Sequence, residues 1–131
     1  MANRIDDLRN PLKTARNWGS GKDGVHHFIW QRVTAILIGV TALWLLGIVL
    51  TLRSASYEIF HGLVADPVNA TVLILFLVSV FWHARMGLQV VIEDYVHTPL
   101  NGVILHILTL LVCALAGIAS VLAVLRIALG S

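Results

Sequence analysis

The stretch HARMGLQVVIEDYVH, residues 83–97, sets a histidine, an arginine, two adjacent carboxylates and a tyrosine at the end of a strongly apolar run. An imidazole inside a hydrophobic segment can ligate a metal. A phenol can donate a hydrogen bond to a carbonyl oxygen while its ring stays in an interfacial layer, and an adjacent carboxylate can orient it or relay protons. Asp94 and Tyr95 therefore have the properties of a quinone-reduction site, where two electrons must be matched by two protons from water. The plainer alternative is that tyrosines are enriched at membrane interfaces and acidic residues often end a span.

His83 is the costlier residue. An ionised side chain in the middle of a span costs about 2.5–3.5 kcal/mol on insertion scales and usually faces protein or water. His83 lies nine residues before Ile92, about 13 Å from that helix end at the standard rise. At about 100° per residue, Gly87, Val90 and Asp94 share its face and Arg85 projects away. A glycine one turn from the histidine removes bulk where a flat ligand would lie, the local geometry of an axial haem ligand in a helical bundle. The other reading is a neutral histidine hydrogen-bonded across the bundle, with glycine easing helix packing. Tyr95 on a continuous helix would point about 120° away from His83, so a helix end near Ile92 or a neighbouring chain is needed for both to serve one site.

These residues need elements to hold them. Of 131 residues, 58% are hydrophobic and 12% charged, and the mean hydropathy is +0.87, far from the composition of a small soluble domain. Three windows, residues 28–52, 68–92 and 102–125, are long enough to cross a bilayer core, which takes roughly 20 apolar residues. Continuous apolar runs in so short a chain exclude a barrel. The expected fold is an all-α membrane protein of three transmembrane helices, residues 28–131, preceded by a polar extension over 1–27. Residues 53–67 and 93–101 connect the spans, with Pro67 suited to opening the second helix and Pro99 breaking the chain before the third.

Arg4, Arg9, Lys13, Arg16 and Lys22 stand before the first span, whereas the opposite side has Arg53 and Arg126. The excess places the N-terminus and the 93–101 loop in the cytoplasm and the C-terminus across the membrane. The extension lacks the apolar core of a secretory signal, and its Asp6-Asp7 pair counts against a mitochondrial transit peptide. A bacterial inner membrane is the expected location, ahead of the mitochondrial one. The basic residues form no dense, aromatic-interleaved cluster, so nucleic acid is not an expected partner. The lone cysteine, Cys113, excludes an intrachain disulfide and a cysteine-based metal site.

The His-x(10)-Asp-Tyr spacing of His83, Asp94 and Tyr95 resembles the hydrophobic membrane anchor subunits of succinate dehydrogenase, respiratory complex II. HHFIWQRVTAILI, residues 26–38, is similar to that family's entry to its first helix, where an Arg-x-Thr/Ser-Ala pattern, here Arg-x-Thr-Ala, precedes the apolar run. The resemblance covers about residues 26–99. It implies a chain paired with a second three-helix anchor, the cytochrome b556 subunit, the two sharing one b-type haem as cofactor. His83 would supply one axial ligand to the haem iron and the partner the other. Together they would anchor a flavoprotein and an iron–sulfur subunit, where succinate is oxidised and electrons pass to quinone. Tyr95 would hydrogen-bond the quinone, with Asp94 positioning it or supplying protons. Arg32 becomes a candidate for a haem propionate, as guanidinium matches carboxylate in two-pronged geometry; the alternative is an arginine snorkelling to the headgroups. Any enzyme activity would belong to the complex, because this chain has neither a dinucleotide-binding glycine pattern nor a cysteine cluster.

His106 is the competitor. Its depth in the third span differs from that of His83 by roughly 6 Å, which leaves open a self-contained cytochrome b using both histidines. A haem-free scaffold is the third possibility. Arg85 has the same two readings as Arg32. His26, His27, His61 and His97 read as interfacial or loop residues, and Trp30 fits the interfacial belt.

Overall fold

A computed structural model describes residues 21–52 and 56–130, with side chains from residue 24 onward. The expected extension up to residue 20 and Arg53 lie outside the described residues, and with them most of the charge bias behind the expected orientation. Among the described residues four helices follow in order: α1 Gly21–Thr51, α2 Tyr57–Ala65, α3 Pro67–Tyr95 and α4 Pro99–Ala128. Three of them, over Gly24–Thr51, Pro67–Tyr95 and Pro99–Ala128, are long and apolar enough to cross a membrane.

Each long helix contains most or all of its expected window and overruns it. The apolar window marks the part suited to lipid, whereas backbone hydrogen bonding continues through polar residues until something stops it. α1 therefore takes in His26 and His27. α3 runs three residues past Ile92, to Tyr95, and Val96 caps it through its N–H to the Ile92 carbonyl at 2.9 Å. Proline placement explains the starts. Pro67 and Pro99 both sit in the first turn, where a missing N–H costs nothing and the fixed φ favours a helix. Asp66 caps α3 by accepting from the backbone N–H groups of Val68 and Asn69, both at 3.0 Å. α4 ends at Ala128, and Gly130 just beyond the capping Leu129 has a φ of 70°, the left-handed conformation that terminates helices. Within the expected 53–67 connection, YEIFHGLVA forms α2, which buries Val64. His61 thus belongs to a helix, its ring tilted 47° against that of Tyr57 with centroids 5.9 Å apart.

α3 is the middle of a layer, with α1 on one side and α4 on the other; among the described residues α1 and α4 do not meet. α2 closes one end, where Val64, Ala70 and Val124 form a small core with Leu73, Ile74, Leu77, Ile127 and Ala128. Besides Met86 and Ile92, several of the buried groups on the long helices are small. Thr34 and Thr41, each 5% exposed, and Ser79, 3% exposed, sit at the interfaces, as expected where helices in lipid associate through close packing. On the other flank of α3, a Cβ at Gly117 would lie 3.4 Å from the Phe81 ring, so a small residue there lets α4 approach.

Candidate functional site

α1 and α3 run antiparallel. Trp30 meets Trp82, ring centroids 6.5 Å apart at 55°, and nearer the other end Trp44 Nε1 donates to Asn69 Oδ1 at 3.2 Å. Among the described residues α1 makes its close helix contacts with α3 alone, so its buried stripe, Thr34 and Thr41 one heptad apart, faces α3. His83 comes opposite Thr34. Its Nδ1 lies 3.1 Å from Thr34 Oγ1, and that oxygen lies 2.8 Å from the Trp30 carbonyl and 3.2 Å from the Gln31 carbonyl. His83 is half-buried, and among the described residues its Nε2 has no hydrogen-bond partner. One turn on, a Cβ at Gly87 would meet nothing within 4 Å, so the surface beside the imidazole is open.

Thr34 is the residue that reading the sequence missed. It stands inside the quoted Arg-x-Thr-Ala pattern, yet a threonine in an apolar helix ordinarily satisfies itself by bonding back to its own carbonyls. A partner 49 residues away shows only when two helices are set side by side.

Asp94 and Tyr95 occupy the last turn of α3, about 18 Å along the axis from His83. Because the helix does not end near Ile92, the phenol stays about 120° from the imidazole. The structure therefore sets the two residues apart on one helix, and only a neighbouring chain would let both serve one site. Asp94 is exposed and Tyr95 78% exposed. The neighbouring Glu93 accepts from Gln89 Nε2 at 2.9 Å. His97 is exposed in the short connection that follows.

Arg32 is not brought to His83. It is exposed on α1, its guanidinium 5.1 Å from the centre of the Phe28 ring. Arg85 turns to the opposite side of α3. Its guanidinium lies 5.8 Å from the Trp82 ring, and it lines two concavities against α4. One of about 500 Å³ is apolar apart from Arg85. A smaller one of about 150 Å³ includes Gln89, His106 and Thr109. His106 thus shares the Arg85 side, while His83 faces α1, and α3 stands between the two histidines. Among the described residues no three His, Cys, Asp or Glu side chains gather as a metal site.

An open layer of three membrane-length helices, with one half-buried histidine in the central helix and an exposed Asp-Tyr pair at its end, defines a multi-pass helical membrane protein. Residues 6–124 match the family described as succinate dehydrogenase/fumarate reductase transmembrane subunit, and the chain belongs to that family. It is similar to the succinate dehydrogenase hydrophobic membrane anchor subunits of Rickettsia bellii, 38% identical over 69% of this chain and 72% of the relative, and Rickettsia conorii, 34% identical over 91% and 95%. That of Coxiella burnetii is 29% identical over 73% of this chain and 81% of the relative.

Proposed function

We propose that this chain is the membrane anchor subunit of a bacterial inner-membrane succinate:quinone oxidoreductase. In this reading it shares a b-type haem with a second anchor subunit and contributes to quinone reduction at the cytoplasmic face. The observation that carries the proposal is the state of His83: half-buried in the central helix, engaged at Nδ1, unengaged at Nε2 and beside open space at Gly87. Those features fit an axial haem ligand, which binds through one neutral imidazole nitrogen while the other is held by a neighbour. When bound, the haem supplies a one-electron carrier within the bundle. Arg32, which makes no ion pair among the described residues, is the proposed partner of a propionate.

Quinone reduction needs two electrons and two protons. The electrons come from succinate, oxidised to fumarate on the flavoprotein and passed on by the iron–sulfur subunit. In this chain Tyr95 donates its hydroxyl proton in a hydrogen bond to a quinone carbonyl. The exposed Asp94 carboxylate, one residue away, takes protons from water toward that oxygen. Neither residue encloses a ligand, so the rest of the pocket comes from the partner subunits.

A self-contained cytochrome b using His83 and His106 is disfavoured by their placement on opposite sides of α3. The test is co-purification of the tagged chain from its membrane. The expected result is flavoprotein, iron–sulfur and second anchor subunits with stoichiometric haem, and in His83→Ala a lost or altered haem spectrum with succinate oxidation by an artificial dye retained. A chain purified without dehydrogenase subunits, or a His83→Ala complex with an unchanged haem, would refute the proposal.

A further inference from the structure

We propose that Thr34 is the positioning residue for His83, fixing the imidazole as its Nδ1–H tautomer so that Nε2 keeps its lone pair as the metal-binding nitrogen. This rests on the haem reading of His83.

The proton count decides the direction of the bond. A threonine hydroxyl has one proton and can accept at its oxygen; a carbonyl can only accept. Thr34 Oγ1 lies 2.8 Å from the Trp30 carbonyl oxygen and 3.1 Å from His83 Nδ1. If Thr34 gave its proton to a bare Nδ1, two lone-pair-bearing oxygens would face each other at the shorter separation with no proton between them. With the proton on the Trp30 side, the Nδ1 contact is filled by the ring's own N–H. The result is a relay, Nδ1–H to Oγ1–H to the carbonyl, in which each bond strengthens the next.

Two further features make this a fixed device. Thr34 is 5% exposed, which leaves little room for water to replace the hydroxyl. Its bond back to its own helix sets the hydroxyl oxygen in place before His83 arrives. The acceptor stands on α1 and the ligand on α3, so the packing of one helix on the other sets the ring's orientation. A hydrogen bond from the non-ligating nitrogen also makes the imidazole a stronger donor to a metal.

The test uses the assembled complex, carrying Thr34→Val, Thr34→Ala, Thr34→Ser or His83→Ala in this chain. Valine keeps the branched shape and alanine cannot crowd the interface; both remove the acceptor, and serine restores it. Transfer of haem to an excess of apomyoglobin measures retention, and redox titration with low-spin haem spectroscopy measures ligand strength. Val and Ala variants are expected to lose haem roughly 10–100-fold faster, the usual effect of losing such a partner. Their midpoint potential should rise, and Ser should stay near wild type. If Val and Ala matched wild type in retention, potential and spectrum while His83→Ala had lost the native signal, the role of Thr34 would be overturned and the ligand would stand. A lower yield of complex with an unshifted potential and spectrum would equally overturn it, because that is what packing alone predicts. An unchanged haem in His83→Ala would overturn the ligand assignment, and the role of Thr34 with it.

Discussion

Tyr95 presents its hydroxyl at the end of α3, 78% exposed as a residue, and nothing in this chain competes for it among the described residues. A phenylalanine there would keep the ring and lose only the donor. In the assembled complex Tyr95→Phe should lower kcat/KM for quinone by about tenfold, one hydrogen bond to a substrate being worth about 1–1.5 kcal/mol. Succinate oxidation by an artificial dye, upstream of this step, should be unchanged. Wild-type quinone kinetics in Tyr95→Phe would remove the phenol from the reaction. Both His83 and Tyr95 are legible in the sequence because their types are out of place in an apolar segment. Thr34 is not, because threonine is tolerated almost anywhere in such a helix and its significance depends on how α1 and α3 align.

At the level of helices, punctuation decides what is legible. Pro67 and Pro99 mark two helix starts by their type alone. The C-terminal ends of α3 and α4 overrun their apolar windows, because hydropathy reports affinity for lipid and helix ends are set by hydrogen bonding. α2 is hidden for the opposite reason: nine residues are too few to stand out from a connection, and the helix is held by burying Val64 against α3 and α4. Two substitutions test what fixes these elements. Asp66→Ala removes the acceptor for two backbone N–H groups and should cost about 1 kcal/mol, read as a lower Tm of the complex in detergent. Gly117→Ala should be tolerated, since its Cβ would make ordinary contact with Phe81. Gly117→Leu should cost about 1–3 kcal/mol by forcing α3 and α4 apart. Equal Tm values for Gly117→Ala and Gly117→Leu would mean that the close approach at Gly117 is not what sets the α3–α4 packing.

Taken whole, the chain is an unfinished layer. None of its described side chains is less than 2% exposed, and large apolar residues such as Leu43, Leu115 and Ile36 remain more than half exposed on the outer helices. Lipid can cover such surfaces, but it cannot supply a second axial ligand, nor enclose a quinone at Tyr95. The one other histidine within a long apolar span beyond the entry turns of α1, His106, is turned to the Arg85 side of α3. On the proposed haem reading, the second ligand would therefore have to come from another chain. Expressed alone, this protein should insert into the membrane and purify without a low-spin haem signal. Co-expression with the second anchor subunit should restore the signal, and His106→Ala should leave the restored spectrum unchanged. A haem spectrum in the lone chain that disappeared with His106→Ala would show that the two histidines meet, contrary to the packing of α3 between them.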